Sequence, residues 1–407
     1  MNRAPASLIT AIDIGTTKIC VIVAQQAPDA SLRIIAIGQS PSRGLSRGVV
    51  VAIAPTVSSI QDAVREAELM AGHAITHAYI GISGSHIQSF TSHGMVPITR
   101  GEIREQDITN VMTAARAITL PEGQQLIHAV PHSFIVNSTE VIRNPLGMYA
   151  VRLEARVHMI TGSVASVHNL IRCCELAGIT VQDIVLEPLA SAAAVLSEDE
   201  RELGIGILDI GGGTSDFAVY NKGSICHTHI IPIAGTMFTN DIAVCLRTSL
   251  HEAERIKKQY GTVGEKSLSI DTTLIDIEHA DGTERGTITT HDLNAVLSAR
   301  SQELLHMIVQ EIDRSGVRPL LSAGVVITGG GALLHGLREQ ASAALRMPVR
   351  IGIPQASAYS NTLHHPMHAT GYGIIMHILS QQQGQTPVGP IHSRIFAKMR
   401  SWFGEIF

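Results

Sequence analysis

A glycine-rich stretch in the middle of the chain limits the possible folds more than any other feature. Residues Ile207 to Tyr220 read ILDIGGGTSDFAVY, in which one apolar run ends at Asp209 and a second closes the segment. The pattern predicts a strand, a tight turn and a returning strand. The turn residues are Gly211, Gly212, Gly213 and Thr214. Because glycine lacks a Cβ and adopts positive φ readily, backbone N–H groups in this turn can approach an anion. Asp209 is placed to hold a hydrated Mg²⁺ through water. The alternative is an ordinary β-hairpin with a glycine-rich loop.

The same pattern occurs near the N-terminus. Residues Leu8 to Val23 read LITAIDIGTTKICVIV, so an Asp-Ile-Gly sequence again follows an apolar run and precedes threonine. The polar residues of this copy are Asp13, Gly15, Thr16, Thr17 and Lys18. Two hairpins of this kind can clamp one polyphosphate from both sides, with Lys18 as a point charge. The repetition therefore predicts a phosphate site more strongly than either hairpin does alone.

A third glycine-rich stretch, GVVITGGGALLHGL, occupies Gly324 to Leu337. A β-branched strand runs into Gly329, Gly330 and Gly331, and we expect a helix to follow. Glycines at this point allow the backbone to lie against a planar base or a ribose. Alone, the stretch also fits a structural strand-to-helix turn. After the two hairpins, it completes an ordered set of phosphate, phosphate and nucleoside elements.

These motifs, in this order, resemble those of the actin-like ATPase superfamily, which includes actin, heat-shock chaperones and sugar kinases. The resemblance spans nearly all of the 407 residues. It implies an α/β fold of two lobes with ATP in the cleft between them, and it implies that Asp13 and Asp209 bind Mg²⁺ and its waters. It supports ATP binding more firmly than hydrolysis. We expect slow or conditional turnover, with nucleotide serving mainly to close the cleft.

Glu187 is the candidate for activating water. It begins the sequence EPLASA after an apolar run, and chaperone-type members of the superfamily have a similar Glu-Pro in the helix that connects the lobes. The resemblance implies a catalytic role for Glu187 alongside Asp209, in which Glu187 orients the attacking water or binds the metal through water. The alternative is an acidic residue that the helix dipole favours at a helix start.

Glu254 and Lys257 form a candidate pair on the nucleoside side. Both lie in LHEAERIKKQY, three residues apart and therefore on one face of a predicted helix. In actin-like filament proteins a comparable Ala-Glu-x-x-Lys faces the ribose and base. An ion pair on a helix surface would produce the same spacing, so both interpretations remain open.

The net charge, the cysteines and the length of the apolar runs argue against nucleic-acid-binding, disulfide-bonded and membrane-spanning proteins. The net charge of −5 gives no overall attraction to nucleic acid, so we expect no nucleic-acid partner. The five cysteines lack CxxC spacing and indicate reduced residues of a cytoplasmic protein. No apolar run reaches the roughly 18 residues of a membrane span, so any membrane role must come from lying on a surface.

The spacing of the motifs predicts how the chain divides into subdomains. The block at 83–161 separates the two phosphate hairpins without adding a phosphate-type loop, and it is interpreted as an inserted small α/β subdomain. The expected bounds are 1–82, 162–195 and about 366–380 for the inner part of the first lobe, 83–161 for the insertion, 196–255 and 320–365 for the inner part of the second lobe, and 256–319 for its outer part.

The C-terminus combines a polar tether with an amphipathic segment. Residues 381–390, QQQGQTPVGP, have the composition of a flexible linker. Residues 391–407 place one apolar stripe opposite basic residues, which predicts a helix lying on an anionic membrane. The stripe contains Ile395, Phe396, Met399, Trp402, Phe403, Ile406 and Phe407, and the basic residues are Arg394, Lys398 and Arg400. A core helix could carry the same stripe, although core helices seldom follow such a linker.

The nucleotide motifs, the insertion and the tail together resemble the FtsA family of bacterial cell division proteins. Further stretches that carry this resemblance are 94–98, 144–147, 198–204 and 349–352. The resemblance implies filament formation by self-association, contacts of the insertion with later division proteins, and a peripheral location on the cytoplasmic face of the cell membrane at the division site. It also implies that the outer part of the second lobe, about Ser267 to Arg318, binds the C-terminal peptide of the tubulin-like protein FtsZ.

Two other functional classes are weaker fits. A small-molecule kinase needs a carboxylate base in a substrate pocket beside the γ-phosphate, and no sequence feature identifies one. A chaperone-type ATPase needs a peptide-binding domain after the nucleotide domain, whereas only a linker and one predicted helix follow Gly373.

Overall fold

The computed structural model describes residues 7–27, 31–264, 273–278, 285–355 and 361–382. The strands are β1 Ser7–Ile14, β2 Lys18–Gln26, β3 Leu32–Pro41, β4 Leu45–Ser46, β5 Val49–Val50, β6 His77–Ile82, β7 Gln88–Pro97, β8 Gln124–Val136, β9 Glu140–Ile142, β10 Arg152–Ser163, β11 Thr180–Leu186, β12 Ile205–Ile210, β13 Ser215–Asn221, β14 Ser224–Ile231, β15 Leu274–Glu278, β16 Arg285–Thr289, β17 Val325–Thr328 and β18 Val349–Ile351. The helices are α1 Ile53–Ala71, α2 Glu105–Arg116, α3 Val164–Leu176, α4 Glu187–Val195, α5 Glu198–Leu203, α6 Gly235–Cys245, α7 Leu250–Tyr260, α8 Thr290–Ser315, α9 Leu337–Leu345 and α10 Ala369–Gln382.

The first lobe is built on a sheet with strand order β11-β6-β1-β2-β3. Strands β1 and β2 form the predicted hairpin and pair antiparallel, whereas β6 lies parallel to β1. Helix α1 packs on one face of the sheet and α10 packs on the other. Consecutive residues of a strand point to opposite faces, so neighbouring residues of β2 show which helix covers which face. Val21 pairs with Gly38, which lies against α1, while the neighbouring Ile22 contacts Gly371 of α10.

The second lobe is built on a sheet with strand order β14-β13-β12-β17-β18. The predicted hairpin of β12 and β13 lies in its centre, and every residue of β12 is buried. Strand β17 runs parallel to β12 and pairs Thr328 with Asp209, so the third glycine motif begins beside the second phosphate hairpin. Helix α4 lies between the two sheets and contacts strands of both, and it packs extensively against α10.

The insertion forms its own layer of sheet and helix between β6 and α3. Its strands follow the order β7-β10-β8-β9, and α2 packs against this sheet over a core that includes Phe134, Leu153 and Met159. The insertion also contacts the second lobe, because Ser89 Oγ donates a hydrogen bond to the Thr228 carbonyl at 2.8 Å. It therefore bridges from the first lobe to the edge strand β14.

The outer part of the second lobe contains the β15–β16 hairpin and the long helix α8. The amphipathic pattern predicts this helix over 292–314, and the structure extends it to Thr290–Ser315. Its first turn is closed by Thr289 and Asp292, whose side chains each accept a hydrogen bond from the other's backbone N–H.

Two local expectations differ from the structure. The third glycine motif leads into a single turn of 3₁₀ helix at Gly330–Leu333, and the α-helix α9 starts only at Leu337. Helix α10 continues to Gln382, so it includes the first two residues of the predicted linker at 381–390. The rest of that linker and the predicted membrane helix at 391–407 lie outside the described residues. Within the described ranges, no helix is both long and apolar enough to cross a membrane.

Candidate functional site

A cavity of about 1000 Å³ lies between the two lobes. It is lined by the turns of both hairpins, the glycine turn after β17, the start of α4 and one face of α7. The predicted nucleotide, metal and catalytic residues that line it are Asp13, Gly15, Thr16, Thr17, Lys18, Glu187, Asp209, Gly211, Gly212, Gly213, Thr214, Glu254, Lys257, Gly329, Gly330 and Gly331. The fold thus brings these residues to one place, although their separate roles stay predictions.

The two hairpin turns share one geometry. In the first, the Gly15 N–H donates to the Lys18 carbonyl at 3.0 Å, and in the second the Gly211 N–H donates to the Thr214 carbonyl at 3.0 Å. The shared Asp-Ile-Gly sequence therefore corresponds to a repeated backbone turn. This turn places Asp13 and Asp209 at equivalent positions in their hairpins.

The tips of the hairpins meet across the cleft. A Cβ added to Gly212 would lie 2.4 Å from Thr17 Oγ1, and one added to Gly213 would lie 2.2 Å from Thr16 Oγ1. Any larger residue at either glycine would push the hairpins apart. Glycine is needed here because the opposing threonines approach the backbone itself.

Acidic side chains converge on the cavity. Burial raises the pKa of Asp13 to about 6, with Lys18 opposing and Asp209 adding to the effect. The pKa of Asp216 is raised to about 8, first by burial and then by the nearby Asp209. The pKa of Glu187 is raised well above its usual value, first by burial and then by Asp13, Asp216 and Asp209. These carboxylates repel one another when they are ionised, and a cation beside them would favour their ionised forms.

Hydroxyl groups satisfy the two acids of the second hairpin. Asp209 Oδ2 accepts hydrogen bonds from Ser191 Oγ and from Thr370 Oγ1, the latter at 2.9 Å. Asp216 Oδ1 accepts one from Ser83 Oγ at 2.8 Å. Burial raises the pKa of Asp209, while the two hydroxyls and Lys18 lower it. Each contact joins a residue outside the second sheet to a residue within it.

Sequence reasoning did not assign Ser83, Ser191, Asp216 or Thr370 to the site. Asp216 could have been identified from the sequence. Residues that pair directly in an antiparallel hairpin are an odd number of positions apart, and Asp209 and Asp216 meet this condition and do pair. The three hydroxyl residues have no local signal, since serine and threonine are common both in helices and after strands.

Glu254 and Lys257 form the ion pair that their spacing predicts, and both lie at the cavity. Lys257 Nζ lies 2.6 Å from Glu254 Oε2, so the ion pair exists. Lys257 also donates to Thr239 Oγ1 at 2.8 Å and to the Gly235 carbonyl at 3.0 Å. Its side chain is only 14% exposed, and both members of the pair line the cavity. The pair is therefore fixed at the edge of the cleft, and its ligand contacts stay predictions.

The residues present suit a hydrated metal ion better than a directly ligated one. Among the described residues, no group of three or more His, Cys, Asp or Glu side chains is arranged to hold a metal ion directly. Asp13 and Asp209 nevertheless face the same cavity, with burial raising the pKa of each. Mg²⁺ retains several waters in phosphate sites and needs only one or two carboxylates, so it fits this arrangement.

Comparison with known proteins adds to these observations. A family model described as "Cell division protein FtsA" matches residues 206–373, and one described as "SHS2 domain inserted in FTSA" matches residues 84–161. The cell division protein FtsA of Pseudomonas aeruginosa is 42% identical to this chain over 376 residues, which is 92% of this chain and 90% of that protein.

Solved structures share the fold at low sequence identity. A chain of the PilM-PilN type IV pilus biogenesis complex aligns with a TM-score of 0.64 at 16% identity and covers 92% of this chain and 98% of its own. MreB5 of Spiroplasma citri bound to AMPPNP aligns with a TM-score of 0.55 at 14% identity and covers 94% and 98%, respectively. The predicted two-lobed actin-like fold with an inserted α/β subdomain is confirmed.

Proposed function

The chain belongs to the FtsA family of cell division proteins, and from this relationship we propose that it is an ATP-binding protein that polymerises on the inner face of the cytoplasmic membrane. In this role it tethers the FtsZ ring through its C-terminal amphipathic segment and recruits later division proteins. The family relationship supplies the role in cell division. We propose the remaining parts of this role, which are ATP binding, membrane attachment, filament formation and the binding of partner proteins.

The cleft supports the ATP-binding part of the proposal. Lys18 and the two glycine turns would hold the phosphates, while Glu254, Lys257 and the glycine turn after β17 would face the nucleoside. Asp13 and Asp209 would hold Mg²⁺ through its waters. Bound Mg²⁺ would offset the charge of the phosphates and of the buried carboxylates.

Glu187 is the residue we propose for orienting a water molecule in slow ATP hydrolysis. A group that accepts a proton or a strong hydrogen bond from water acts in its ionised form. Because burial and the neighbouring acids raise the pKa of Glu187, that form is disfavoured without a nearby cation. Hydrolysis in this cleft is therefore expected to depend on Mg²⁺.

The observation that carries the tethering function is the apolar stripe of residues 391–407 in the sequence, outside the described residues. Partial burial of its aromatic and aliphatic side chains in a membrane would favour binding at about 25 cal/mol per Å². Each basic residue would add about 1 kcal/mol near anionic lipid. One tail would bind moderately, whereas a filament with many tails would bind far more tightly, because each later contact is effectively intramolecular.

Trp402, the single tryptophan of the chain, provides the test of this proposal. We expect its emission in the full-length protein to shift to shorter wavelength when vesicles of anionic phospholipid are added, and the shift to grow with ATP and Mg²⁺. Phe403→Asp with Ile406→Asp should abolish the shift, whereas Gln385→Asp, which adds charge outside the stripe, should preserve it. Emission that is already blue-shifted without vesicles and is unchanged by them would contradict the membrane tether.

The proposed partner sites follow the family relationship and can be tested separately. We propose that the region from about Ser267 to Arg318 binds the C-terminal peptide of FtsZ, and the described part of this region includes β15, β16 and α8. A labelled FtsZ C-terminal peptide should gain fluorescence anisotropy with the full chain. An unchanged anisotropy would remove this partner without affecting the ATP or membrane parts of the proposal.

A further inference from the structure

One carboxylate oxygen of the cleft is held by side chains from two different helices. Asp209 Oδ2 accepts from Ser191 Oγ of α4 and from Thr370 Oγ1 of α10, and the two hydroxyl oxygens lie 3.1 Å apart. Ser191 is 0% exposed and Thr370 is 8% exposed, so water does not compete freely for these contacts. Hydrogen bonds of this kind to a charged acceptor are stronger than those to a neutral one.

The other side of the Asp209 carboxylate is confined by backbone. A Cβ added to Gly329 would lie 2.3 Å from Asp209 Oδ1, so the chain after β17 approaches this oxygen closely. Oδ2 is thus fixed by hydroxyls and Oδ1 is bounded by the third glycine motif. The carboxylate has little freedom to rotate at the cleft.

The positions of both hydroxyls depend on a single helix crossing. Helices α4 and α10 approach so closely that a Cβ added to Gly373 would lie 1.9 Å from the Ala190 carbonyl oxygen. Ser191 and Thr370 lie beside this crossing, and α10 packs on the first sheet, whereas Asp209 ends a strand of the second sheet. The contact therefore spans the cleft between the lobes.

We infer that Ser191 and Thr370 are positioning residues for Asp209, which orient its carboxylate for a hydrated cation and connect that carboxylate to the first lobe. The inference rests on the proposed function, because it concerns the site at which Mg²⁺ accompanies ATP. Neither residue is required to touch nucleotide. Their loss should affect Mg²⁺-dependent binding specifically.

The test measures ATP affinity of the full-length protein by titration calorimetry, once with Mg²⁺ and once with EDTA. Thr370→Val preserves shape and removes the hydroxyl, and we expect it to weaken binding about tenfold with Mg²⁺, because the Asp209 carboxylate loses one of the two donors that hold it in position. Binding in EDTA should change less than about twofold. Thr370→Ser, which restores a hydroxyl, should recover most of the lost affinity.

Two further variants separate positioning from a general effect on folding. Ser191→Ala should resemble Thr370→Val, and the double variant should lose less than the product of the two single losses, because both hydroxyls act on one oxygen. Thr248→Val removes a buried hydrogen bond to the Glu278 carbonyl away from the cleft, and it should lower thermal stability without changing the Mg²⁺ dependence.

The outcomes distinguish this inference from the proposed function. If the wild type binds no ATP under either condition, the ATP part of the proposed function fails. If the wild type binds but Thr370→Val loses the same factor with Mg²⁺ and with EDTA, or loses none, the positioning role is overturned. Failure of Thr370→Ser to recover affinity would also overturn it.

Discussion

The side chains of the cleft are mutually dependent because several acids share one small volume. Asp209 is the centre of this group: it pairs with Asp216 across the hairpin, and it contributes to raising the pKa of Asp13, Glu187 and Asp216. Removing its charge should therefore relieve repulsion in the ligand-free protein and weaken cation binding at the same time.

Asp209→Asn separates these two effects. We expect ATP affinity measured with Mg²⁺ to fall at least tenfold, because the amide removes the charge that would hold the hydrated ion. The ligand-free variant should melt at the same temperature as the wild type or higher, because a buried repulsive charge is gone. Asp276→Asn, on the exposed side of β15, is a matched control. Unchanged ATP affinity in Asp209→Asn would remove Asp209 from the site.

Among the secondary-structure elements, the two helices α4 and α10 determine how the lobes meet. Their contact is close because glycine and alanine face each other at the crossing, as Gly373 and Ala190 do. Small residues allow the backbones themselves to approach, and the approach places the starts of both helices at the cleft. The hairpins contain the polar turns, but the packing of α4 against α10 sets the distance between the turns of the two lobes.

Gly373→Ala tests the crossing directly. The added methyl group would collide with the Ala190 carbonyl, which cannot move without shifting α4, so we expect about 2 kcal/mol lower free energy of unfolding. A methyl group added by Gly371→Ala on the same helix would lie nearest to Ile22 Cδ1, the end of a flexible side chain, at 3.0 Å, with Asp13 Cβ and Ile22 Cγ1 at 3.6 Å, so this variant should be nearly neutral. Denaturation by urea compares them. Equal midpoints for the two variants would show that the crossing tolerates a side chain.

In the molecule as a whole, the insertion joins the first lobe to the second through polar contacts. His158 of β10 lies 3.0 Å from Thr228 Oγ1 of β14, measured from its Nε2 atom, and it is 2% exposed. The pKa of His158 is lowered to about 3, first by burial and then by His227 and His132. This ring is therefore neutral in the folded protein at neutral pH, and its contact with Thr228 carries no buried charge.

Acidification should weaken this docking. An unfolded histidine titrates near pH 6.5, above the folded value, so the unfolded chain binds the proton more readily and stability falls as the pH drops below about 6.5. The loss from His158 should reach about 2 kcal/mol at pH 5. His158→Gln should remove this part of the pH dependence of the unfolding free energy, whereas His251→Gln at an exposed position should not. Parallel pH profiles for the wild type and His158→Gln would contradict the prediction.

The elements encoded by consecutive residues were predictable from the sequence. The Asp-Ile-Gly hairpins, the third glycine turn and the amphipathic helix α8 each depend on local properties, namely glycine conformation, strand alternation and helical spacing. The resemblance of these motifs, in this order, to those of the actin-like superfamily implied the fold, and the comparisons confirm it. The C-terminal stripe is equally local, and its role stays a prediction because it lies outside the described residues.

The polar partners of the cleft were decided only by tertiary structure. Thr370 and Asp209 are 161 residues apart, and Ser83 and Asp216 are 133 apart, yet each pair is joined by a hydrogen bond. The hydrophobic periodicity of the sequence does not indicate such a contact, because the contact depends on how α4 and α10 pack and on how closely the two sheets approach. Sequence thus determined which turns could receive phosphate and metal. Packing between distant segments determined which hydroxyls hold the acids of those turns in place.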